Sequence, residues 1–378
     1  MDFELTEEQK IIQKTVRDFA TNELAPVAGE LDQAEEFAWK NFRRMAELDL
    51  TGMVIPSEYA GSGSDELSLA IAIEEIAKAC ASTADILNAH LILCAGRIYH
   101  YGNEEQRQKF LPPLAKGEKV GSYAVTEPDA GSDIGSIKTK AVRDGNSYIL
   151  NGQKTFITNG DVCDTVVLFA GISELAPRGM TAFIVEKGMP GFTKGKKFKK
   201  LGMHAATNAE LFFDDCRVPV ANRLGEEGKG MRIALPTLDY GRIGIAAQAL
   251  GIAQAVLEKC TEYSKIRVQF GAPISKNQAI SWKLADMATE IEAARFLVYN
   301  AAYLADKDEP FSKNAAMAKV YACELTMKAA TWGIQIFGGY GYMMEYPMQR
   351  YFRDAKLTEI YEGTSEVQRM IISRAVLG

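Results

Sequence analysis

A carboxylate near the C-terminus stands in a context that could make it a base. Glu362 lies between Tyr361 and Gly363, after an apolar run that ends at Ile360. An aromatic neighbour can partly exclude water from the acid, which would raise its pKa toward that of a useful base. Gly363 leaves room beside the carboxylate for a substrate. The alternative interpretation is a partly buried acid at the end of a helix.

An upstream run has a composition suited to holding a ligand through its backbone. Residues 126–133 read Thr-Glu-Pro-Asp-Ala-Gly-Ser-Asp, with small residues and hydroxyls around a proline turn. Such a segment suits a flat or phosphorylated ligand. Taken alone, it could equally be an ordinary loop.

Metal and hydrolase chemistry have little support in the sequence. The only histidines are His90, His100 and His204, and none is paired at ligand spacing with another His or a Cys. The chain carries neither a GxSxG nor a GxxxxGK[ST] sequence. We therefore expect no metal site, and chemistry that uses a cofactor or carboxylates.

Length and charge limit the class of protein. A chain of 378 residues suggests two or three packed units. With 43 Lys+Arg against 49 Asp+Glu, the net charge of -6 gives no electrostatic case for binding to nucleic acid or to an anionic membrane.

No apolar run approaches about 18 residues, so no membrane insertion is expected. The start of the chain shows no targeting pattern, and the six cysteines form no CxxC, so buried thiols in a cytoplasmic protein are expected.

Helical periodicity dominates the first third of the chain. Thr6 and Gln9 have the spacing of a capping box, which predicts a helix start. Further helical patterns cover residues 67–79, 84–96 and 104–115. Pro112-Pro113 is expected to break the last of them. These patterns predict an N-terminal helical domain over residues 1–119.

From about residue 120 the pattern changes to strands. Apolar and β-branched runs occur at 148–150, 155–158, 166–170, 182–185 and 211–213. Asn151-Gly152, between the first two runs, predicts a hairpin turn. We expect a middle antiparallel β domain over residues 120–222, without the βαβ alternation of a Rossmann domain.

Long helical periodicity then returns. One predicted helix face carries Leu284, Met287, Ile291, Ala294 and Val298. Several such helices predict a C-terminal four-helix bundle over residues 223–378. The fold class is therefore α+β.

This order of domains, together with five motifs, resembles the acyl-CoA dehydrogenase family over essentially the whole chain. The motifs are YAVTEPDAGSD at 123–133, NGQKTFITN at 151–159, RVQFG at 267–271, QIFGG at 335–339 and YEGTSE at 361–366. The resemblance implies the acyl-CoA dehydrogenase fold, FAD as cofactor and an acyl-CoA substrate. It also implies an electron-transferring flavoprotein as electron acceptor.

The resemblance assigns particular residues to FAD. The matching positions are Tyr123, Val125, Thr126, Gly131, Ser132, Phe156, Thr158, Arg267, Gln269, Phe270, Gln278, Gln335, Gly338, Gly339, Thr364 and Glu366. Thr158 can hydrogen-bond the reactive edge of the flavin, and Phe156 offers an aromatic wall where most relatives carry Trp. Positions from Arg267 to Phe270 and from Gln335 to Gly339 match those that close over FAD from a neighbouring subunit. A homo-oligomer, expected to be a tetramer, is thus implied.

The same resemblance implies how substrate is bound and oxidised. Substrate positions are matched by Ser132, Asp239, Arg242, Tyr361 and Gly363. Without that context, Asp239 and Arg242 would be an ion pair on a helix surface. Glu362 would take the proton next to the thioester carbonyl, and hydride would pass to the flavin. The backbone N–H of Glu362 and a flavin hydroxyl would hold the developing charge. A base at this position is usual for short- and medium-chain members, so a short-chain or small cyclic acyl group is expected.

Asp85 departs from the family pattern, where an apolar or small residue is usual near the acyl end of the pocket. Ser82 and Asp85 have capping-box spacing, so Asp85 could simply support a helix start. Alternatively, Asp85 is a second base, which would permit 1,4-dehydrogenation of cyclohex-1-ene-1-carboxyl-CoA to a conjugated diene. A neutral Asp85 that polarises a polar acyl end is a third possibility.

Two other functions share the motifs. An acyl-CoA oxidase would pass its electrons to oxygen and form peroxide. A non-catalytic flavin-binding scaffold would lack the base, whereas Glu362 is present.

Overall fold

The chain folds as three successive blocks of helices, sheet and long helices. A computed structural model describes residues 4–172 and 179–378. The expectation that the start of the chain shows no targeting pattern concerns largely residues 1–3, which lie outside the described residues. One apolar core joins the two helical blocks, and a second lies in the sheet.

Within the described residues 4–119, seven α-helices form the N-terminal block. They are α1 Glu7–Phe19, α2 Ala28–Ala34, α3 Trp39–Glu47, α4 Glu66–Ala79, α5 Ala81–Leu87, α6 Gly96–Tyr101 and α7 Glu104–Ala115. The capping box of Thr6 and Gln9 at the start of α1 is confirmed. Pro112 and Pro113 do not break α7 but lie inside its last turn. Because proline has no N–H, two hydrogen bonds to carbonyls of the preceding turn are lost, and α7 ends two residues later at Ala115.

The helix that carries Asp85 begins earlier than the sequence predicts. The N-cap of α5 is Cys80, in extended conformation, and π-helical turns over Asn88–Ala95 connect α5 to α6. Asp85 therefore lies inside the helix, and its interpretation as a helix-cap residue is wrong. The end of α4 at Ala79, rather than the Ser82 hydroxyl, sets where α5 begins.

The middle block is one mixed sheet. Its strands are β1 Gly121–Ala124, β2 Lys140–Asp144, β3 Ser147–Thr158, β4 Thr165–Ile172, β5 Met180–Glu186, β6 Phe192–Lys197, β7 Asn208–Pro219 and β8 Arg223–Leu224. The order is β6-β7-β3-β2-β4-β5-β8, with β1 also paired to β4. Most pairs are antiparallel, as predicted, but β1 and β2 pair with successive parts of β4 in parallel. The chain between β1 and β2 leaves the sheet as a loop over residues 125–139.

The predicted hairpin turn at Asn151-Gly152 is wrong, because both residues lie inside β3. The chain turns instead at Gly145, which has a φ of 56°. At Gly152 the pairing of β3 with β7 shifts register. A Cβ at position 152 would lie 2.7 Å from the Thr139 Cα. Glycine is thus required by a close backbone approach and not by a turn.

Long helices form the C-terminal block. They are α8 Met231–Ile266, α9 Gln278–Asp306, α10 Ser312–Phe337, α11 Met348–Thr358 and α12 Ser365–Leu377, with a small β9–β10 ladder at Val268–Gln269 and Ala272–Pro273. The predicted face of α9 is confirmed, since Met287, Ile291, Ala294 and Val298 are buried. Within the described residues, α8 alone is long and apolar enough to cross a membrane, and 78% of its apolar window is buried in the protein. All six cysteines lie in the described ranges and are buried, unpaired thiols.

Candidate active site

A cavity of about 2390 Å³ opens where the three blocks meet. Its walls come from α5 and the turns after it, the 125–139 loop, the end of β3, residues 198–202, α8 and the segment between α11 and α12. One drug-sized ligand needs roughly 300–1,000 Å³. The cavity therefore has room for a large cofactor together with a second ligand.

Glu362 stands in the turn between α11 and α12 and lines the cavity. It has a φ of 51°, and Gly363 follows with a φ of 95°. A non-glycine residue in this conformation is uncommon and is held by its surroundings. Burial, and then the negative charge of Asp85, raise the pKa of Glu362 to about 8. Its Oε2 atom has no hydrogen-bond partner among the described residues.

Three partly buried hydrogen bonds fix the turn that carries Glu362. Lys319 on α10 is fully buried and donates to the Gly363 carbonyl at 2.7 Å. Gln368 donates to the same carbonyl at 2.8 Å. The Tyr361 hydroxyl donates to Gln248 Oε1 at 2.6 Å. Side chains of α8, α10 and α12 thereby hold the turn that carries the carboxylate.

Asp85 faces the same cavity from α5. It is 3% exposed, and its Oδ2 atom lacks a hydrogen-bond partner in the described part of the chain. Burial is the main cause that raises the pKa of Asp85 to about 6, and the positive charge of Lys200 acts against it. Two carboxyl groups with raised pKa values thus line one cavity, an arrangement typical of functional sites.

The end of β3 offers a hydroxyl and an aromatic ring to the cavity. The Thr158 carbonyl accepts a hydrogen bond from Ser122 Oγ at 2.6 Å, and the Thr158 hydroxyl accepts one from Asn208 Nδ2 at 2.9 Å. That leaves the hydroxyl hydrogen of Thr158 available to a ligand. Phe156 has a φ of 58° and is 64% exposed, with its ring beside Phe198.

A buried ion pair holds both ends of the 125–139 loop. Glu127 accepts hydrogen bonds from Lys154 Nζ at 2.8 Å and from the backbone N–H of Thr139 at 2.9 Å. Lys154 is fully buried and also donates to the Val125 carbonyl at 3.0 Å. These contacts fix the two ends of the loop, and Gly131 between them lines the cavity.

Asp239 and Arg242 on α8 form a hydrogen-bonded ion pair. Arg242 is 4% exposed and lines the cavity, so the pair is not on the helix surface. Asp239 Oδ1, which accepts the hydrogen bond from Arg242, also accepts one from the Ser312 hydroxyl at 2.9 Å. Asp239 therefore helps to fix the position of the arginine side chain. Within residues 4–172 and 179–378, Arg242 Nε has no hydrogen-bond partner. A ligand acceptor would satisfy it.

The structure gathers only some of the residues expected from the sequence. Those that line the cavity are Asp85, Tyr123, Val125, Thr126, Gly131, Ser132, Phe156, Thr158, Arg242, Tyr361, Glu362, Gly363 and Thr364. Those that are exposed and do not line the described cavity are Arg267, Gln269, Phe270, Gln278, Gln335, Gly338, Gly339 and Glu366. The Arg267 guanidinium lies 5.7 Å from the centre of the Tyr340 ring, so Arg267 lies beside the segment that follows α10.

Three residues that build the site carry no signal in the sequence: Gly241, Lys200 and Asn208. A Cβ at position 241 would collide with the Glu362 carboxylate. Asn208 donates to Thr158, and Lys200 donates to Asn208. The approach of Gly241 to Glu362 and the hydrogen bond from Asn208 to Thr158 join segments far apart in the chain, so local spacing does not reveal them. In the described part of the chain, no cluster of His, Cys, Asp or Glu could hold a metal ion.

Comparison with known proteins gives matches along the whole chain. Family models for the N-terminal, middle and C-terminal domains of acyl-CoA dehydrogenase match residues 6–118, 122–216 and 228–377. A short-chain specific acyl-CoA dehydrogenase of Clostridium acetobutylicum is 51% identical over 374 residues, 99% of each chain. The structure of butyryl-CoA dehydrogenase from Megasphaera elsdenii superposes with a TM-score of 0.98, at 48% identity and 100% coverage of both chains. A chain solved in a study of the electron transferring flavoprotein of Acidaminococcus fermentans also gives 0.98, at 50% identity and 100% coverage of both.

The fold and the cavity define a flavin-dependent oxidoreductase. The chain belongs to the acyl-CoA dehydrogenase family, whose cofactor is FAD. The residues present fit this cofactor, since the cavity has room for more than one ligand and is lined by the exposed Phe156 ring and by Thr158, whose hydroxyl hydrogen is available. The Gly131–Ser132 backbone adds a segment suited to phosphate.

Proposed function

We propose that this acyl-CoA dehydrogenase oxidises short-chain acyl-CoA thioesters with Glu362 as the base. The observation that carries the proposal is the Glu362 carboxyl group, which lines the cavity with a pKa raised to about 8 and an unpartnered Oε2 among the described residues. A carboxyl in that pKa range is matched to proton abstraction near neutral pH. The names of the relatives from C. acetobutylicum and M. elsdenii support a short acyl chain.

The residues of the chain divide the work of the reaction. Glu362 accepts the α-proton of the thioester, and its backbone N–H donates to the thioester carbonyl as negative charge develops there. One such donor typically contributes a few kcal/mol to the transition state, about 2.7–4 in measured cases. When bound, FAD supplies a two-electron acceptor for the hydride that leaves the β carbon. Arg242 and Ser132 bind the CoA part, Asp239 holds Arg242, and Tyr361 and Gly363 shape the acyl slot.

FAD would be held by residues from two subunits. From this chain's own cavity we propose Tyr123, Val125, Thr126, Gly131, Ser132, Phe156, Thr158 and Thr364, with Glu366 beside them. From a neighbouring copy we propose Arg267, Gln269, Phe270, Gln278, Gln335, Gly338 and Gly339. The exposure of these residues supports a role between subunits. The Phe270 ring is fully exposed, and burial against a neighbouring subunit would stabilise an apolar group of this size. The assembly is a homo-oligomer, a tetramer in our proposal, and the electron acceptor is an electron-transferring flavoprotein.

Anaerobic mixing of the yellow holoenzyme with acyl-CoA tests the proposal. Butyryl-CoA should bleach the flavin, and Glu362→Gln should slow the bleaching by roughly 10²–10⁴-fold, the usual contribution of a general base. Glu359→Gln, a nearby acid paired with Lys356, is the matched control and should bleach normally. Flavin that stays oxidised with straight, branched and cyclic thioesters would refute the dehydrogenase assignment. Peroxide that forms in air as fast as the flavin is reduced would favour an oxidase.

A second candidate function follows from Asp85. We propose that the enzyme also accepts cyclohex-1-ene-1-carboxyl-CoA, because a carboxyl with a free oxygen and a pKa of about 6 faces the cavity alongside Glu362. Asp85 would accept a proton from ring carbon C3. The electron pair of that C–H bond becomes the C2=C3 bond, the C1=C2 pair shifts to C1=C6, and a hydride leaves C6 for the acceptor that bound FAD would supply. The product is a conjugated diene.

Substitution of Asp85 separates the two functions. Asp85→Ala should abolish oxidation of the ring substrate and leave oxidation of butyryl-CoA within a fewfold of the parent enzyme. Butyryl-CoA is the internal control, since it needs only Glu362. If both substrates are still oxidised at the parent rate, the second-base assignment is refuted. If both are lost in a folded, FAD-loaded variant, Asp85 serves the site as a whole and not the ring reaction.

A further inference from the structure

Lys319 is a buried cation that contacts the turn of Glu362 and has no ion pair of its own. Its side chain lies on α10, is completely buried and donates to the Gly363 carbonyl at 2.7 Å. This acceptor belongs to the residue after Glu362 and carries no charge. In the described part of the chain, no carboxylate forms an ion pair with Lys319. A buried ammonium without a counter-charge is costly, so a nearby anion is expected.

Three acids on the helices around Lys319 already have cationic partners. The pairs are Glu359 with Lys356, Glu324 with Arg369 and Asp239 with Arg242. Glu362 differs from these acids, because its Oε2 atom has no hydrogen-bond partner among the described residues. Since Lys319 is bonded to the very next residue, Glu362 is the acid placed to serve as its counter-charge.

The charges around these two residues agree with that pairing. Burial lowers the pKa of Lys319, whereas the Cys323 thiol and then the charge of Glu362 oppose this change. Arg242 on α8 acts in the same direction as burial. At Glu362, burial and the charge of Asp85 raise the pKa of the carboxyl, whereas Lys319 and then Arg242 lower it.

We propose that Lys319 is a positioning residue with two tasks: its hydrogen bond holds the turn of Glu362, and its charge is the counter-charge of the ionised base. The second task distinguishes Lys319 from Gln368, which donates to the same carbonyl at 2.8 Å without a charge. Because the ammonium donates to a backbone oxygen, it favours the carboxylate without that bond occupying the oxygen that must accept a proton. The inference rests on the proposed function, since the charge of Glu362 matters to turnover only if Glu362 is the base.

Lys319→Gln and Gln368→Met separate the charge from the hydrogen bond, because both side chains donate to the Gly363 carbonyl. Lys319→Gln keeps N–H donors and removes the charge, whereas Gln368→Met removes a donor and leaves every charge in place. The ionisation of the Glu362 carboxyl is followed in the FAD-loaded holoenzyme by infrared difference spectroscopy, with Glu362→Gln to identify its band. We expect Lys319→Gln to move the midpoint upward by about one pH unit and Gln368→Met to leave it in place.

Thermal stability gives a second readout that a purely structural lysine would affect differently. Lys319→Met removes a buried ammonium that no carboxylate contacts, while Gln368 still holds the Gly363 carbonyl. The Tm of Lys319→Met should therefore equal or exceed that of the parent. Below the midpoint, a rise of one pH unit leaves about tenfold less ionised base, so kcat/KM for butyryl-CoA at neutral pH should fall about tenfold.

Lys328→Met is the matched control, because Lys328 lies on the same helix and pairs with Glu290, with both side chains partly exposed. This variant should leave the midpoint of the Glu362 carboxyl and kcat/KM for butyryl-CoA unchanged. An equal shift in Lys328→Met would mean that any positive charge on α10 has the effect, which would overturn a specific role for Lys319.

An unmoved midpoint in folded Lys319→Gln would overturn the proposal, and so would an equal shift in Gln368→Met, since the hydrogen bond alone would then explain it. A lower Tm in Lys319→Met with the midpoint in place would show that Lys319 only supports the turn. The infrared band reports on the carboxyl itself, so it can be read without turnover. If Glu362→Gln bleaches the flavin as fast as the parent, Glu362 is not the base, whereas a moved band would still establish the pairing with Lys319.

Discussion

The carboxylate of Glu362 occupies the space that a side chain at residue 241 would fill. A Cβ at Gly241 would lie 1.6 Å from Glu362 Oε2 and 2.7 Å from its carboxyl carbon. Gly241 belongs to α8 and Glu362 to the turn before α12, so a contact between distant parts of the chain sets the position of the base. The glycine is needed for its lack of volume and not for backbone freedom, because it lies within a regular helix.

Gly241→Ala should therefore displace the base without unfolding the protein. The added methyl group must push the Glu362 carboxylate away, and a misplacement of about 1 Å can cost roughly a hundredfold in rate. Alanine favours a helix more than glycine does, so α8 should persist. The measurement is kcat with butyryl-CoA, alongside the Tm. Gly29→Ala in α2, where the nearest atom is 3.8 Å away, is the control, and an unchanged kcat in Gly241→Ala would contradict the prediction.

The pH dependence of turnover should reflect the raised pKa of Glu362. A base must be deprotonated to accept a proton, so kcat/KM for butyryl-CoA should be low in acid and rise through about pH 8. At higher pH it should level off. A profile that is already flat from weakly acidic pH upward would show that the carboxyl ionises at its ordinary pKa, or that another group limits the reaction.

Asp85→Asn should shift that profile toward lower pH. The negative charge of Asp85 is the second-largest cause of the raised Glu362 pKa, after burial. Removing it with a side chain of the same shape should lower the Glu362 pKa by about one unit. The acid limb measured with butyryl-CoA reports the shift, because that substrate does not need Asp85 as a base. A limb that stays in place would mean that the two carboxyls do not interact.

The parts of the site that the sequence predicts are those built from neighbouring residues. The turn of Tyr361–Thr364 and the loop that contains Gly131 are continuous segments, and the structure brings both to the cavity. Each has a local chemical character that is visible without the fold. The same is true of the buried face of α9, because helical spacing alone determines it.

The wrong predictions share a physical cause, which is that tertiary contacts override local signals. Asn151-Gly152 has the composition of a hairpin turn, yet packing against Thr139 keeps it inside a strand. Ser82 and Asp85 have the spacing of a cap, yet the end of the preceding helix places both inside α5. Side-chain contacts between distant segments, such as the hydrogen bond from Asn208 to Thr158, depend on the fold and have no counterpart in residue spacing.

Lys154→Met should destabilise the protein and loosen the 125–139 loop. Lys154 is fully buried and pairs with Glu127, which is 5% exposed. Loss of one partner leaves a buried carboxylate without its counter-charge, which costs about 3–5 kcal/mol. The backbone N–H of Thr139 still donates to Glu127, so the low end of that range is expected. The measurements are the Tm and the retention of FAD, because the loop carries residues proposed to hold the cofactor.

Lys138→Met is the matched control, since Lys138 pairs with Asp129 on the surface of the same loop. Both side chains of that pair are about 70% exposed, at 72% and 69%, so solvent and salt screen their interaction. The Tm and FAD retention of Lys138→Met should match those of the parent protein. Equal losses in the two variants would mean that any lysine charge on the loop matters. An unchanged Lys154→Met would show that the backbone donors alone hold Glu127, and that the buried pair does not fix the loop.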